Sequence, residues 1–168
     1  MPLHVIRYLR GTCDQAILYH HVDTFADTLW DWVDSDWAAD VESRRSHTGY
    51  LVMLNDGAVS WNSCSQDCVS LSTSEAEYVA ARQCGQEVYY MREILRDFGF
   101  AQTAHTKIYD DNLAYVAMSE NPVRRKFSRH IDIRRCLVRD MVSAGVLKLV
   151  PLRTHLMVAD ALTKRFPY

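Results

Sequence analysis

Between Ser72 and Gly99 apolar residues recur at helical spacing, as Ala80, Cys84, Val88, Met91 and Leu95. A helix of that length must lay its stripe on a broad apolar surface, and the rest of the chain has to supply one. Ser72, with Glu75 three residues later, has the form of a capping box, and Gly99 supplies the stop. Counted back along the stripe, Glu77 continues the apolar face, whereas Glu75 falls on the polar side with Arg82 and Gln86. A carboxylate facing the interior is costly unless it is paired or bound to a metal. The alternative is that Glu77 complements the positive end of the helix dipole.

The surface for this helix comes from strand-like runs on either side. Leu29 to Trp37 is rich in Trp and Val, and His47 to Asn55 is rich in aromatic and branched residues. Asn55-Asp56-Gly57 is a strong hairpin signal, followed by a third strand through Val59 and Trp61. After the long helix, Lys107 to Asp111 reads as a fourth strand, with Asn112 placed to cap a short helix through Tyr115 and Val116. A basic helix from Asp132 to Ser143, ended by Gly145, leads to a fifth strand over Val146 to Leu152. A last helix is expected over Leu156 to Lys164. The order β-β-β-α-β-α-α-β-α predicts an α/β fold with a five-stranded mixed sheet. Three strands are antiparallel and two are joined through helices, with helices on both faces. Ahead of it, His4 to Arg10 reads as a short amphipathic helix stopped by Gly11. Residues 1–28 are assigned to a tail and residues 29–168 to the domain.

At 168 residues and 48% hydrophobic, the chain can bury an ordinary core. Its net charge of −2 points to no particular partner. The distribution is uneven, however. Arg124, Arg125, Lys126, Arg129, Arg134, Arg135 and Arg139, opposed by Asp132, leave about +6 in one segment and about −8 elsewhere. Such a segment is either a polyanion-facing patch or a solvated helix face. Cys13, Cys64, Cys68, Cys84 and Cys136 are odd in number, and no second pair accompanies the C-x3-C of Cys64 and Cys68. Neither a disulfide framework nor a zinc site is expected. No apolar run reaches membrane-spanning length, so a soluble, intracellular and reducing setting is expected.

Four acids fall where strands end or helices begin: Asp34, Glu77, Asp111 and Asp160. Element ends are where an α/β fold gathers its chemistry. Taken singly, Asp34 reads also as an acidic turn, Asp110-Asp111-Asn112 as an Asx turn, and Asp160 as an exposed helical acid. Together, converging acids with oxygen-only ligands favour Mg²⁺ or Mn²⁺ over zinc.

Several segments, taken in order, carry a resemblance. They are Val33-Asp-Ser-Asp-Trp-Ala-Ala-Asp40, Arg44-Arg-Ser-His-Thr-Gly-Tyr50, Ala58-Val-Ser-Trp61 and Leu71-Ser-Thr-Ser-Glu-Ala-Glu-Tyr78. Tyr109-Asp-Asp-Asn112, His130-Ile-Asp-Ile133 and Val158-Ala-Asp-Ala-Leu-Thr-Lys164 complete the series. The chain resembles the ribonuclease H domain at the end of copia-type retrotransposon Pol polyproteins. Val5-Ile-Arg-Tyr-Leu-Arg-Gly-Thr12 is similar to the end of the preceding reverse transcriptase region. The family commonly has Cys where this chain has Asp110, which adds a negative charge and leaves Asp110 and Asp111 both open as ligands.

The resemblance implies a ribonuclease H that hydrolyses the RNA strand of an RNA–DNA hybrid, leaving 5′-phosphate and 3′-hydroxyl ends. It assigns Asp34, Glu77, Asp111 and Asp160 as catalytic metal ligands. Two Mg²⁺ ions about 4 Å apart, replaceable by Mn²⁺, would activate water and stabilise the leaving oxygen. RNA would be recognised through its 2′-hydroxyls. Arg44, Arg45, Arg124, Arg125, Lys126, Arg129 and His130 are candidate phosphate contacts, with a packing or capping role as the alternative for His130. His155, just before Asp160, is read as a surface-loop residue. The implied partners are the hybrid and the reverse transcriptase region, in the cytoplasm or in the particle of an active element. The competing reading is an inactive nucleic-acid-binding or structural remnant.

Overall fold

The computed structural model describes residues 2–20, 28–120 and 137–164. Helix α1 spans Pro2–Gly11, and strands β1 (Leu29–Asp36), β2 (His47–Leu54) and β3 (Gly57–Ser65) follow. Helix α2 runs over Thr73–Asp97, then β4 over Thr106–Asp110 and α3 over Leu113–Glu120. A helix α4 covers residues 137–143. Strand β5 (Leu147–Pro151), a 3₁₀ turn (Thr154–Leu156) and the short helix α5 (Asp160–Thr163) complete the described chain.

The five strands form one sheet in the order β3-β2-β1-β4-β5. β1–β2 and β2–β3 pair antiparallel, while β1–β4 and β4–β5 pair parallel. The β2–β3 connection is the two-residue turn that Asn55-Asp56 announces. Both residues have positive φ, 51° and 61°, which the right-handed twist of a tight hairpin requires and Asn and Asp tolerate. Tyr19 closes over this turn from the N-terminal side. Its hydroxyl donates to the Ala58 carbonyl at 2.8 Å, and His20 N–H donates to the Asn55 carbonyl at 3.0 Å. Only glycine fits at position 57, because a Cβ there would lie 2.3 Å from the Tyr19 ring. By contrast, Leu3, Val5, Ile6, Tyr8 and Leu9 of α1 are all exposed.

One face of the sheet meets α2, α3 and α4. Leu29, Val33, Tyr50, Val52, Ile108, Leu147 and Leu149 pack there against Tyr78, Ala80, Cys84 and Val88 of α2, Tyr115 of α3, and Val138 and Met141 of α4. The helical stripe behaves as its spacing requires: Glu77, Ala80, Cys84 and Val88 are buried, with Met91 and Leu95 at the core's edge. The opposite face carries Trp30, Trp32 and Tyr109 in edge-to-face contact. There α5 sits against Gly49, where a Cβ would meet Leu162 and Thr163 at 2.8 Å.

The C-terminal segment departs from expectation. Instead of one helix over 156–164, a 3₁₀ turn is broken at Met157 (φ −76°, ψ 98°), and helix resumes only at Asp160. Met157 and Ala159 are buried, so packing sets the path here in place of helical propensity. Most of the basic segment, including Arg134 and Arg135, lies outside the described residues. Arg139 lies in α4, and Gly145, at φ +70°, follows that helix as its stop.

Asp31 was not anticipated. It is fully buried in β1, accepting from Cys84 Sγ at 2.7 Å and from Leu51 N–H at 3.2 Å. Burial pushes its pKa up to about 8, against the opposing effect of these donors. The folded state thus retains a proton that the unfolded chain releases near pH 3.8. Asp31 therefore favours folding least at high pH. Its contribution falls by up to roughly 1.4 kcal/mol per pH unit as pH rises through that window, levelling off above about 8. Denaturant unfolding between pH 4 and 8 is expected to show this decline in the parent and a flatter profile in Asp31→Asn, with matching profiles counting against the assignment.

Candidate active site

β1 and β4 run parallel as neighbours, with Trp32 opposite Tyr109. Two residues further on, Asp34, late in β1, and Asp111, just past the end of β4, come side by side. The first turns of α2 cross above them and bring down Glu77, and α5 approaches from the other face with Asp160 as its first residue. Asp34, Glu77 and Asp111 each place a carboxylate oxygen within 4.8 Å of the other two. Asp160 stands outside this close group, near enough for its charge to act on Asp34. The fold thus gathers three acids closely and sets a fourth beside them.

The gathering is electrostatically uphill. Asp34 and Glu77 are only 3% and 5% exposed. Burial, then the charges of Asp110 and Asp34, push the Glu77 pKa up to about 10. Asp34 is raised first by burial, and by Asp160 and Asp111; Thr163 and Lys164 act the other way. Glu77 Oε2 is buried without a hydrogen-bond partner among the described residues. Orphaned, desolvated carboxylate oxygens at such spacing fit a hard cation, which would supply the ligand and the charge they lack.

Asp110 and Asp111 separate cleanly. Asp110 is fully buried in β4 on the α2 side and accepts from Asn112 N–H at 2.7 Å, whereas Asp111 is partly exposed and faces Asp34 and Glu77. Burial first, with the charges of Asp111 and Asp34, raises Asp110 to about 7 against the opposing Asn112 bond. Glu75 lies on the other side of α2, as its helical phase requires. It contributes to the cap, with Ser72 Oγ accepting from Glu75 N–H at 3.2 Å. Its own carboxylate reaches Leu71 N–H at 2.7 Å, one residue earlier than a capping box would have it.

A buried polar network fixes the start of α2. Gln66 is fully buried; its amide donates to Thr48 Oγ1 at 3.1 Å and to the Ala76 carbonyl at 3.0 Å, and it accepts from Ser70 Oγ at 3.0 Å. Trp37 Nε1 then donates to the Ser70 carbonyl at 3.0 Å. Ala76 immediately precedes Glu77, so this network links β2, the loop before α2 and the acid itself. On the far side, Thr163 Oγ1 donates to Asp34 Oδ2, Lys164 Nζ donates to Asp160 Oδ1 at 2.7 Å, and Ser63 Oγ donates to the Leu162 carbonyl at 2.6 Å. Burial opposes the Lys164 charge, but the Asp160 bond and the Asp34, Asp160 and Asp111 charges raise its pKa overall.

Gln66, Thr163 and Lys164 were not singled out from sequence. Lys164 was open to detection, since an acid followed by lysine four residues on is a helical pairing pattern. Gln66 was not, because nothing local distinguishes a buried glutamine in a loop. Arg44 and Arg45 lie exposed in the loop after β1, which the Asp40 carbonyl and side chain hold. Arg124, Arg125, Lys126, Arg129 and His130 lie outside the described residues. His155 is exposed in the 3₁₀ turn, as a surface-loop histidine should be. A groove lined by Asp36, Asp40, His47, Ser63 and Lys164 runs beside the acids. Among the described residues no helix is long and apolar enough to cross a membrane.

Replacing Gln66 with Leu leaves the Ala76 carbonyl and the Thr48 and Ser70 hydroxyls without this partner. A loss of about 2–3 kcal/mol in unfolding free energy is expected by chemical denaturation. A loss well below 1 kcal/mol would mean the network does not hold α2 in place.

Comparison with known proteins gives two kinds of likeness. The chain is 37% identical over 163 residues to the retrovirus-related Pol polyprotein from transposon TNT 1-94 of Nicotiana tabacum, covering 97% of this chain and 12% of that protein. The chain therefore spans about an eighth of the length of this relative. Among solved structures, LC11-RNase H1 in complex with an RNA/DNA hybrid matches with a TM-score of 0.59 at 12% identity, over 80% of this chain and 93% of that one. The foamy viral protease-reverse transcriptase in complex with RNA/DNA hybrid matches with a TM-score of 0.56 at 11% identity, over 89% of this chain and 21% of that one. At these identities the structural likeness concerns the fold. No family model matches the chain.

Proposed function

We propose, for a chain whose relatives are copia-type retrotransposon Pol polyproteins and whose fold is that of ribonuclease H domains, a metal-dependent endonuclease cutting the RNA strand of an RNA–DNA hybrid. The relatives and the fold support a ribonuclease H-type nuclease in general. The observation that carries the finer reading is the convergence of Asp34, Glu77 and Asp111 within 4.8 Å, with Asp160 beside them.

Asp34, Glu77 and Asp111 would hold a Mg²⁺ ion, or Mn²⁺ in its place, and Asp160 would complete the set for a second ion. Bound divalent cations supply an activated water and neutralise charge developing on a phosphodiester. The chain's own residues do the rest by position. Asp34 is held by the Thr163 hydroxyl, and Glu77 is held by the Gln66 network through Ala76, so neither has to reorganise when substrate arrives. Arg44 and Arg45, exposed in the loop after β1, would meet backbone phosphates, a contact that orients the duplex without reading its sequence. The basic segment through Arg124, Arg125, Lys126, Arg129 and His130 is assigned the same role from its charge.

Residues 1–28 are read as a tail of the adjoining reverse transcriptase region, supported by the exposed apolar residues of α1 and by the Tyr19 and His20 latch to the hairpin. The compartment is then that of reverse transcription, the cytoplasm or an element's particle.

A labelled hybrid incubated with the protein tests the reading. Cleavage is expected with Mg²⁺ or Mn²⁺ and none with EDTA. Asp111→Asn and Glu77→Gln are expected to lose at least about 100-fold in rate, and Glu75→Gln to stay within about 3-fold. Hybrid retained on a filter without product would support the inactive binding remnant, and equal losses from the two glutamates would contradict the site geometry.

A further inference from the structure

Among the described residues, Asp160 is the one of the four acids already paired with a cation. The close group of Asp34, Glu77 and Asp111 has an orphaned buried oxygen on Glu77, which no described residue satisfies. Asp160, outside that group, has its Oδ1 bound by Lys164 Nζ at 2.7 Å. The geometry comes from the brevity of α5. Four residues of helix, Asp160–Thr163, followed by extended backbone at Lys164, turn two successive side chains toward the acids. Thr163 donates to Asp34, and Lys164 donates to Asp160 while its charge also acts on Asp34. The pair is partly exposed, with side chains 47% and 29% accessible, so its bond is modest and open to exchange. An ammonium on a flexible four-carbon stem can also swing away without disturbing the backbone.

We propose that Lys164 is an internal counter-cation for Asp160, which a divalent ion must displace before Asp160 can serve as a ligand. It would make Lys164 a positioning residue that sets how many ions the free protein holds. The first ion enters at Asp34, Glu77 and Asp111 without displacing an ammonium, because among the described residues none is bonded to their oxygens. A second ion that recruits Asp160 competes with Lys164, and its apparent affinity is lowered by the fraction of time the pair is closed. Released from Asp160, the Lys164 ammonium is free to pair with an incoming phosphate oxygen in the neighbouring groove. This rests on the nuclease reading above for the identity of the acids as metal ligands.

The test is a Mn²⁺ titration of the whole chain without nucleic acid, read by calorimetry and by the free-ion paramagnetic signal, with circular dichroism confirming each variant's fold. The parent is expected to bind one ion tightly and a second more weakly. Lys164→Gln is expected to tighten the second ion about 3- to 10-fold and leave the first within about 2-fold, while Lys164→Arg keeps the parent pattern. Asp160→Asn is expected to remove the second ion alone. An unchanged second-ion affinity in Lys164→Gln, with the first ion intact, would overturn the proposal and leave the nuclease reading standing. Absence of any bound ion in the parent would overturn that reading as well.

Discussion

Mutual repulsion among desolvated carboxylates is the constraint around which this molecule is arranged. Asp34 and Glu77 are buried, Asp111 joins them within 4.8 Å, and Asp110 adds a fully buried carboxyl just behind. Left alone, such a cluster would be relieved by protonation or by splaying apart. The fold prevents splaying by mounting the acids on elements that cannot move independently. β1 and β4 are adjacent parallel strands, and α2 is packed along the sheet through Cys84 and Val88 and fastened at its start by Gln66. Repulsion that the scaffold does not relax leaves the cluster short of compensating positive charge.

The two sides of the site are held by different means. On the α2 side the supports are buried and polar: Gln66, Thr48 and Ser70 satisfy one another and the Ala76 carbonyl. A satisfied network of this kind is stiff and specifies one geometry. On the α5 side the supports are partly exposed, through Thr163 to Asp34 and Lys164 to Asp160. A stiff wall carrying the close group faces a softer one carrying the fourth acid, and the ion-exchange role assigned to Lys164 follows from that contrast.

Much of this was legible in the residues. The capping pattern at Ser72, the Asn55-Asp56 turn and the three-and-four spacing through Leu95 are local codes, and each produced the element it announced. The same spacing separated Glu77 from Glu75, because helical phase alone decides which of two acids two residues apart faces the core. The last helix was misjudged, since burying Met157 and Ala159 outweighed the propensity of the segment and left helix only at Asp160–Thr163. Asp31 and Gln66 escaped notice for a related reason: a buried polar side chain is identified by its partners, here Cys84 and Ala76, which are far away or featureless in sequence.

What the sequence determined by itself was the set of elements, their order and the acids at their ends, all of which depend on backbone preference and periodicity within a few turns of chain. Only the tertiary structure decided which acids share a point, that Asp111 and not Asp110 faces the other two, and that Asp160 is engaged by Lys164. Those outcomes depend on strand register, on which side of β4 a residue projects and on the angle at which α5 meets the sheet. None of these is encoded within a single element, because each is fixed by the packing of one element on another.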